Sequence, residues 1–354
     1  MTLCRHFGTC GGCAWQDMPD DTYRAMKRDL VVHALARQGF ADAVVDTAVE
    51  VPPNTRRRAA FKVEKKNGET QIGFHAARSH DIVDMRECRV LTPKLFALVA
   101  GLRAMMNALL DNTEAVEIDV TDSDTGFDVI IRGKRVVSTS VKAEIARWAV
   151  QLKLARVCIG NDVLIDLGAP SARFGNALVK LPPGAFLQPT RPGEAALQAL
   201  VTAATKGARR IADLFAGCGT FALVLAEEAR VHAVEREPAM LDALAAAARM
   251  TQGLKPVTTE RRDLFKEPLT PPELAAFDTV VLDPPRAGAA AQCAELAQAR
   301  LKRIVYVSCD PESFARDARI LANAGYRMGQ ITPVDQFLWS SHIELVAVFG
   351  ARGK

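Results

Sequence analysis

The sequence contains no run of apolar residues that approaches the roughly 18 needed to span a bilayer. Residues 1–12 hold no apolar stretch of the kind that forms a signal peptide. There is little excess of charge: 45 Lys and Arg against 41 Asp and Glu give +4, which neither requires nor excludes a nucleic-acid partner. Eight cysteines in 354 residues are too few for a disulfide scaffold. These absences predict a cytoplasmic protein whose cysteines act as metal ligands, nucleophiles or buried residues.

The two halves of the chain differ in pattern. Hydrophobic residues make up 49% and charged residues 24%, as in folded domains rather than a disordered chain. Up to about residue 180 the sequence is irregular, with short β-like runs at 116–120, 127–131 and 135–140. After a Pro-Pro-Gly turn, strand-like runs at 210–215, 231–235, 277–283 and 303–308 alternate with helical segments at 221–229 and 238–250. The alternation predicts a doubly wound α/β domain over residues 181–354, preceded by a separate domain over residues 1–180.

A glycine loop stands between the first of these strands and its helix. Gly217 and Gly219 let the backbone approach a ligand there, and Glu235 closes the next strand where a carboxylate can accept ribose hydroxyls. The arrangement fits a dinucleotide or S-adenosylmethionine, and a structural tight turn is the alternative. Asp213 before the loop, and Ala222 in place of a third glycine, favour the methyl donor.

Two further strand ends carry candidate chemistry. Residues 283–286, Asp-Pro-Pro-Arg, form a rigid turn of the kind found beside an extruded base in nucleic-acid methyltransferases, although a turn without function is the alternative. Cys309 ends the adjoining strand, before a helix that Asp310 caps and Pro311 begins, with Gly325 at its far end. The positive end of that helix favours a thiolate, whereas nearby acids oppose one. A small core residue is the alternative for this cysteine.

These residues suit one reaction in particular. C5 of uracil is a poor nucleophile, but a thiolate that adds to C6 makes C5 enolate-like and able to attack a sulfonium methyl group. A base must then remove the C5 proton so that the thiolate can leave. Cys309 is the candidate nucleophile and Glu344, at the start of the last apolar strand, is the candidate base. His342 shares a strand face with Glu344, and we interpret it as filling space rather than orienting the base.

Cysteines are concentrated near the N-terminus. Cys4, Cys10 and Cys13 are spaced so that they can converge on one centre, and Cys88 could complete a set of four. Four thiolates suit an iron–sulfur cluster or zinc. The spacing alone leaves three readings open: a cluster, zinc and coincidence.

A basic stretch follows at residues 56–66, with six cations against one acid. If this stretch is a strand, alternation places several cations on one face, where they can follow the phosphates of a nucleic acid. A solvated basic face is the ordinary alternative. The stretch therefore predicts an RNA contact only in combination with the motifs described above.

Taken together, the motifs resemble those of the RNA uracil-5-methyltransferases, in particular the branch that carries an iron–sulfur cluster and acts on 23S rRNA. The resemblance covers most of the chain. It is carried, in order, by Cys4-x5-Cys10-Gly-Gly-Cys13-x2-Gln16, residues 57–59, Cys88, Phe186-Leu-Gln188, the glycine loop, residues 283–286, residues 308–311 and His342-Ile-Glu344. It implies a Rossmann-like class I methyltransferase domain, dependent on S-adenosylmethionine, after an N-terminal α+β domain that carries the cluster.

The resemblance also implies roles for individual residues. Cys309 is implied as the nucleophile and Glu344 as the base. A [4Fe–4S] cluster is implied on Cys4, Cys10, Cys13 and Cys88. Contacts with S-adenosylmethionine are implied for Gln188, Phe215, Thr220, Glu235, Asp263 and Asp283. Thr220 and Asp263 stand where the family often has Asn.

Departures from the family bear on the substrate. Many relatives carry a small β-barrel RNA-binding domain before the cysteines, whereas here the motif begins at residue 4, so we expect the cluster domain and the basic stretch to hold the RNA. Residues 335–342 replace the family's usual loop containing Met-Phe-Pro. The tRNA-specific branch lacks the cysteines, which favours 23S rRNA over tRNA.

The sequence therefore predicts an enzyme that forms 5-methyluridine in 23S rRNA through a covalent cysteine adduct. It indicates no membrane association and no obligate protein partner. Methylation of tRNA, methylation of cytosine at C5, a non-catalytic iron–sulfur RNA-binding protein and a nicotinamide dehydrogenase are the alternatives. Arg286 stands where cytosine-5 enzymes typically carry a second cysteine, which disfavours that alternative.

Overall fold

The computed structural model describes residues 3–133, 138–160 and 162–351. The chain begins with helix α1 (Asp20–Arg37) and a short strand β1 (Val49–Glu50). No helix within the described ranges is long and apolar enough to cross a membrane.

A largely antiparallel sheet dominates the first half of the chain. Its strands are β2 (Arg58–Lys66), β3 (Glu69–His75), β4 (Ile82–Asp84), β5 (Ala115–Asp122), β6 (Phe127–Arg132), β7 (Leu154–Ile159) and β8 (Asp162–Asp166), in the spatial order β4-β3-β2-β5-β6-β7-β8. Helices α2 (Pro93–Leu109) and α3 (Thr139–Gln151) pack against it. Alternation along the strands gives the sheet its buried face, on which Phe61, Ile118 and Val129 are fully buried.

A hairpin of β9 (Ser171–Phe174) and β10 (Ala177–Lys180) leads into the second half, which alternates helices and strands. The elements are α4 (Arg191–Thr205), β11 (Arg210–Leu214), α5 (Ala222–Leu225), β12 (Arg230–Glu235), α6 (Pro238–Met250), β13 (Val257–Arg261), α7 (Pro271–Leu274), β14 (Thr279–Leu282), α8 (Ala290–Ala299), β15 (Arg303–Ser308), α9 (Pro311–Asn323), β16 (Arg327–Asp335) and β17 (Glu344–Gly350).

These strands build the larger sheet, in the order β1-β16-β17-β15-β14-β11-β12-β13. Strands β11 to β15 run parallel, and β17 inserts antiparallel between β15 and β16. The central strand β14 is buried along its whole length because helices cover both faces of the sheet. The predicted doubly wound α/β architecture is confirmed.

Most of the predicted elements are present, and one prediction is wrong. The run at 135–140 is not a strand where it is described: Ser138 caps helix α3 by accepting from the N–H of Val141, and Thr139 begins that helix. Residues 134–137 of this prediction lie outside the described part of the chain. The helix predicted at 221–229 is shorter, because α5 ends at Leu225.

The first residues of the chain join the larger sheet. Strand β1 pairs in parallel with β16, and Val31, Leu35 and Val45 lie in the same apolar core as residues of the parallel strands. Helix α1 packs on α9. Residues 20–50 thus contact the C-terminal sheet, a feature that no sequence pattern indicated, and the division of the chain near residue 180 stays a prediction.

Candidate active site

A cavity of about 1050 Å³ opens at the carboxyl ends of the parallel strands. Neighbouring strands β11 and β14 connect in opposite directions, and α/β sheets bind ligands at such a switch point. Residues predicted for the donor site and for catalysis all line this cavity: Gln188, Phe215, Thr220, Glu235, Asp263, Asp283, Cys309 and Glu344. Four of them directly follow or end a parallel strand, which explains why residues far apart in sequence meet here.

The glycine loop turns sharply away from β11. Phe215 has φ of 65°, in the left-handed region that non-glycine residues seldom adopt. Gly219 has φ of 96°, and a Cβ there would come within 2.9 Å of the Leu223 side chain, so only glycine fits. The loop therefore needs its glycine for both conformation and packing.

Glu235 is fixed against this loop. Its Oε2 accepts from the N–H of Gly217 at 3.0 Å. Its Oε1 accepts from the N–H groups of Arg236 at 2.7 Å and Glu237 at 2.9 Å. Three backbone donors hold the carboxylate in one orientation at the cavity wall, as a site for ligand hydroxyl groups requires.

Two aromatic rings, of which the sequence analysis identified only Phe215, lie near the cavity wall that carries Glu235. The rings of Phe215 and Phe265 are 5.5 Å apart, and 44% of Phe265 is exposed although it lines the cavity. Asp263 accepts from the N–H of Phe265 at 3.1 Å, which fixes the turn that presents this ring. An exposed phenylalanine in a cavity is a binding surface for a flat apolar group.

Sheet register brings the candidate nucleophile and base together. Strand β15 pairs antiparallel with β17, and Ser308 lies opposite Leu345. Continuing that register by one residue places Cys309 opposite Glu344. The two residues are 35 positions apart in sequence, and the antiparallel insertion of β17 is what joins them.

The acids of the cavity are held in a low-polarity environment. Burial raises the pKa of Asp283 to about 7. Burial also raises the pKa of Glu344 well above its ordinary value, and the nearby Asp283 carboxylate adds to that shift. Raised carboxyl pKa values in a cleft are typical of groups that transfer protons.

The surroundings of Cys309 disfavour its thiolate form. Burial contributes most, and repulsion from Glu344 and Asp283 adds to it, so that the pKa of the Cys309 thiol rises to about 12. The positive charge of Arg286 opposes this shift. The predicted cap is present, because Asp310 Oδ1 accepts from the N–H groups of Glu312 and Ser313 at 3.0 and 3.1 Å. The positive end of helix α9 therefore does not lower the pKa of Cys309 enough to offset the effects of burial and of the acids.

Gln336 is a polar residue of the site that sequence reasoning missed. Its Nε2 donates to Gln188 Oε1 at 2.7 Å and to Glu344 Oε1 at 3.2 Å. Only 1% of its surface is exposed. It lies in the segment that departs from the family pattern, so no motif pointed to it. The ring of His342 packs edge-on against Phe337, with 5.8 Å between centroids, and the interpretation of His342 as filling space stays a prediction.

The four N-terminal cysteines come together in a small cavity of their own. Cys4, Cys10, Cys13 and Cys88 all line it. Burial raises the pKa of Cys13 to about 11, and the other three cysteines are close enough to add to the shift. Within the described residues, no group of three or more His, Cys, Asp or Glu side chains is arranged to hold a metal ion. The predicted cluster therefore stays a prediction.

Residues 58–66 of the basic stretch form strand β2, residues 56 and 57 lead into it, and the two faces of the stretch differ. Arg56 and Arg58 line the main cavity, and Lys62 lines an adjoining open groove. Arg57 points to the opposite side, where it is 1% exposed and forms an ion pair of 2.5 Å with Glu194. Alternation thus separates cations at the cavity from a cation that serves the core.

The chain matches known proteins along almost its whole length. A family model described as tRNA (uracil-5-)-methyltransferase matches residues 176–351. An uncharacterized RNA methyltransferase of Rhizobium meliloti is 44% identical over 97% of this chain and 84% of its own length. The chain belongs to the RNA uracil-5-methyltransferase family.

A further relative and a solved structure add to this comparison. A 23S rRNA (uracil(1939)-C(5))-methyltransferase of Shewanella halifaxensis is 32% identical over 98% of this chain and 81% of its own length. The crystal structure of a Pyrococcus abyssi tRNA (uracil-54, C5)-methyltransferase with S-adenosyl-L-homocysteine shares the fold, with a TM-score of 0.73 and 22% identity over 96% of this chain and 85% of that one. The prediction of an RNA methyltransferase that uses S-adenosylmethionine is confirmed, whereas the iron–sulfur branch is not.

Proposed function

We propose that this enzyme methylates C5 of a uridine in 23S rRNA through a covalent adduct on Cys309, with Glu344 as the base. The observation that carries the proposal is the register of β15 and β17, which sets Cys309 opposite Glu344 in the cavity. A nucleophile and a base for the same pyrimidine ring must approach adjacent ring atoms, C6 and C5. Side chains on neighbouring strands meet that requirement.

The donor site consists of Gln188, Phe215, Thr220, Glu235, Asp263 and Asp283. The fixed carboxylate of Glu235 suits ribose hydroxyls, and the rings of Phe215 and Phe265 suit an adenine. S-adenosylmethionine supplies an electrophilic methyl group on a sulfonium. The carboxyl of Asp283 at the same wall suits a positively charged ligand when it is ionised.

The protein's residues act in sequence. Cys309 reacts as the thiolate, after its thiol proton has passed to water. The thiolate forms a bond to C6 of the uracil, and the electron pair of the C5–C6 double bond becomes available at C5. C5 takes the methyl group, and the bond between that methyl carbon and the sulfonium sulfur breaks with its electron pair left on the sulfur; the ring, now saturated at C5 and C6, stays bonded to Cys309. Glu344 then removes the C5 proton, the double bond re-forms and the thiolate is expelled. Its raised pKa suits Glu344 for accepting a proton from carbon near neutral pH.

Strand β2 supplies contacts for the RNA. Arg56 and Arg58 line the cavity, and the guanidinium of Arg58 lies 4.7 Å from the ring of Phe186. Phe186 is 53% exposed, so its ring can stack with a nucleotide base. The adjoining groove with Lys62 extends this surface towards the cysteine segment. Cations beside an exposed ring are the arrangement that single-stranded RNA favours.

The cysteine set supports rRNA over tRNA as the substrate, as does the relative that is named for 23S rRNA. We propose that Cys4, Cys10, Cys13 and Cys88 hold a [4Fe–4S] cluster; their convergence on one cavity supports this assignment. The methyl transfer needs no redox step, so the cluster is assigned to shaping the RNA-binding surface. Cluster removal that leaves fold and RNA binding intact would contradict that role.

Release of tritium tests the reaction and the substrate together. RNA labelled at C5 of uridine is taken from cells that lack this gene, separated into rRNA and tRNA, and incubated with anaerobically purified protein and S-adenosylmethionine. We expect tritium release from rRNA only, dependent on the methyl donor. Release from tRNA alone would contradict rRNA as the substrate, and release from neither RNA would contradict the proposed reaction.

A separate measurement tests the metal centre. Anaerobically purified protein should contain iron and acid-labile sulfide in equal amounts, and Cys88→Ser should lower both. Cys158→Ser is the control, because Cys158 is buried in strand β7 and lies outside the cysteine cavity. Zinc without sulfide in the wild-type protein would contradict the cluster.

A further inference from the structure

The loop between β16 and β17, residues 336–343, carries much of the wall around the base. Phe337, Leu338, Ser340 and His342 all line the main cavity, and Glu344 follows the loop directly. The position of Glu344 therefore depends on how this loop is held. Gln336 at its start is bonded to Gln188 and Glu344, and the other supports of the loop described here come from residues 14–27.

Lys27 holds both ends of the loop. Its ammonium, 1% exposed, lies 2.6 Å from the carboxylate of Asp335, the last residue of β16. It also donates to the carbonyl of Phe337 at 3.0 Å and to that of His342 at 2.7 Å. An ammonium has three N–H donors, so each finds one acceptor. The contacts close residues 335–342 into a ring.

Tyr23, one helical turn before Lys27, holds the tip of the loop. Its hydroxyl donates to Asp335 Oδ2 and accepts from the N–H of Trp339 at 2.9 Å. Trp339 has φ of 56°, a left-handed conformation that persists only where neighbours hold it. The spacing of four residues puts Tyr23 and Lys27 on one face of α1.

The cysteine segment holds the same tip. The carbonyl of Trp339 accepts from the N–H groups of Ala14 at 2.7 Å and Trp15 at 3.2 Å, directly after Cys13. The rings of Trp15 and Tyr23 lie 5.8 and 5.6 Å from the Lys27 ammonium. The N-terminal segment thus encloses the charge that closes the loop.

We propose that Lys27 and Tyr23 are positioning residues for the base, acting on Glu344 through the 336–343 loop. The proposal rests on the proposed function, since it takes Glu344 as the base. Lys27 and Tyr23 bind only the backbone of the loop and Asp335, so they touch neither substrate nor donor. Loss of these contacts lets the loop move, which misplaces Glu344 relative to C5 without removing Cys309.

The test separates a misplaced base from a weakened fold. Tyr23→Phe removes one hydroxyl, and the double variant Lys27→Met, Asp335→Leu removes the ion pair without leaving a buried charge. Tyr326→Phe is the matched control: Tyr326 is equally buried, and its hydroxyl accepts from the Leu301 N–H at 2.7 Å, outside the cavity. The readouts are kcat, KM for S-adenosylmethionine, thermal melting, and RNA that stays bonded to protein in detergent.

A misplaced base leaves methylated RNA attached to Cys309, because proton removal is the step that frees it. We expect kcat of Tyr23→Phe and of the double variant to fall about 10- to 100-fold. The attached RNA should accumulate as in Glu344→Gln, with KM for S-adenosylmethionine unchanged. Tyr326→Phe should show neither effect.

Two results would overturn the proposal while leaving the proposed function intact. One is wild-type turnover of both variants; the other is lower activity that follows the loss of folded protein, without attached RNA. Attached RNA in Glu344→Gln shows in either case that the reaction is as proposed. If neither Glu344→Gln nor any other variant accumulates attached RNA, the assignment of Glu344 as the base is contradicted, and the positioning role of Lys27 and Tyr23 fails with it.

Discussion

The two large sheets contribute to one cavity in different ways. The parallel sheet places its groups at strand ends, where Glu235, Asp283 and Cys309 are fixed by the backbone. The antiparallel sheet places Arg58, the first residue of β2, and Arg56, two residues before it, on one face at the cavity. The difference separates two tasks: bond-making needs atoms held within a fraction of an ångström, whereas gripping RNA tolerates movement.

The largest difference in activity should appear when one cysteine associated with each sheet is replaced by alanine. Cys309→Ala should lower methylation about 10⁴-fold or more, because the nucleophile has no substitute. Cys158→Ala, in strand β7 of the other sheet, should retain nearly full activity in the folded protein. Initial rates with the RNA substrate check both. Substantial activity of Cys309→Ala would contradict the covalent mechanism.

Within the basic strand, the buried cation should matter for stability. Arg57→Met leaves Glu194 buried without its partner, so the free energy of unfolding should fall by about 3–5 kcal/mol. The double variant Arg57→Met, Glu194→Leu should recover much of that loss, and denaturant unfolding measures both. If Arg57→Met is as stable as wild type, alternation along the basic stretch does not separate a stabilising cation from the cations at the cavity.

Arg58, the neighbouring cation, should instead contribute to RNA binding. Arg58→Ala should raise KM for RNA about tenfold and lower the salt dependence of binding by about one unit of slope. KM for S-adenosylmethionine should change less than KM for RNA, because five of the six proposed donor residues lie at or after the ends of the parallel strands, and only Gln188 is next to Leu187, whose carbonyl accepts from Arg58. Filter binding at several salt concentrations checks the slope. A rise in the KM for the donor as large as that for RNA would show that the two sheets do not divide the tasks.

The smallest effect concerns the thiol itself. With a pKa of about 12, the rate of alkylation of Cys309 by iodoacetamide should rise from pH 7 to pH 9 without a plateau and approach a tenfold increase per pH unit by pH 9. Near pH 7 the rise should be less steep, because Asp283 ionises there and repels the thiolate. Arg286→Ala, which removes a favourable charge, should slow the reaction about threefold. Peptide mapping follows Cys309 alone, and a plateau below pH 9 would contradict the raised pKa.

How much of this could be read from the sequence depended on the type of feature. The parallel strands were predictable because apolar runs such as 303–308 are short and regular, and the strand ends then located Asp283 and Cys309. The eight residues predicted for donor binding and catalysis all line one cavity. Their roles stay predictions, since position alone does not establish a reaction.

Contacts made by turns and by the fold as a whole were not predictable. Gln336 lies in a segment without a family motif, and its bonds to Gln188 and Glu344 depend on the antiparallel insertion of β17. Lys27 reads as an ordinary charge on an exposed helix, but its acceptors lie more than 300 residues away. The pKa of Cys309 was likewise open, because it depends on burial, which the sequence does not contain.

The most direct test of the central claim uses RNA that contains 5-fluorouridine. Fluorine at C5 cannot be removed as a proton can, so a base-dependent release step is blocked after methyl transfer. With S-adenosylmethionine present, the protein should form a complex with this RNA that survives detergent, and mass spectrometry should locate the bond on Cys309. Absence of the complex with an RNA that is otherwise methylated, or a bond on another residue, would contradict the mechanism.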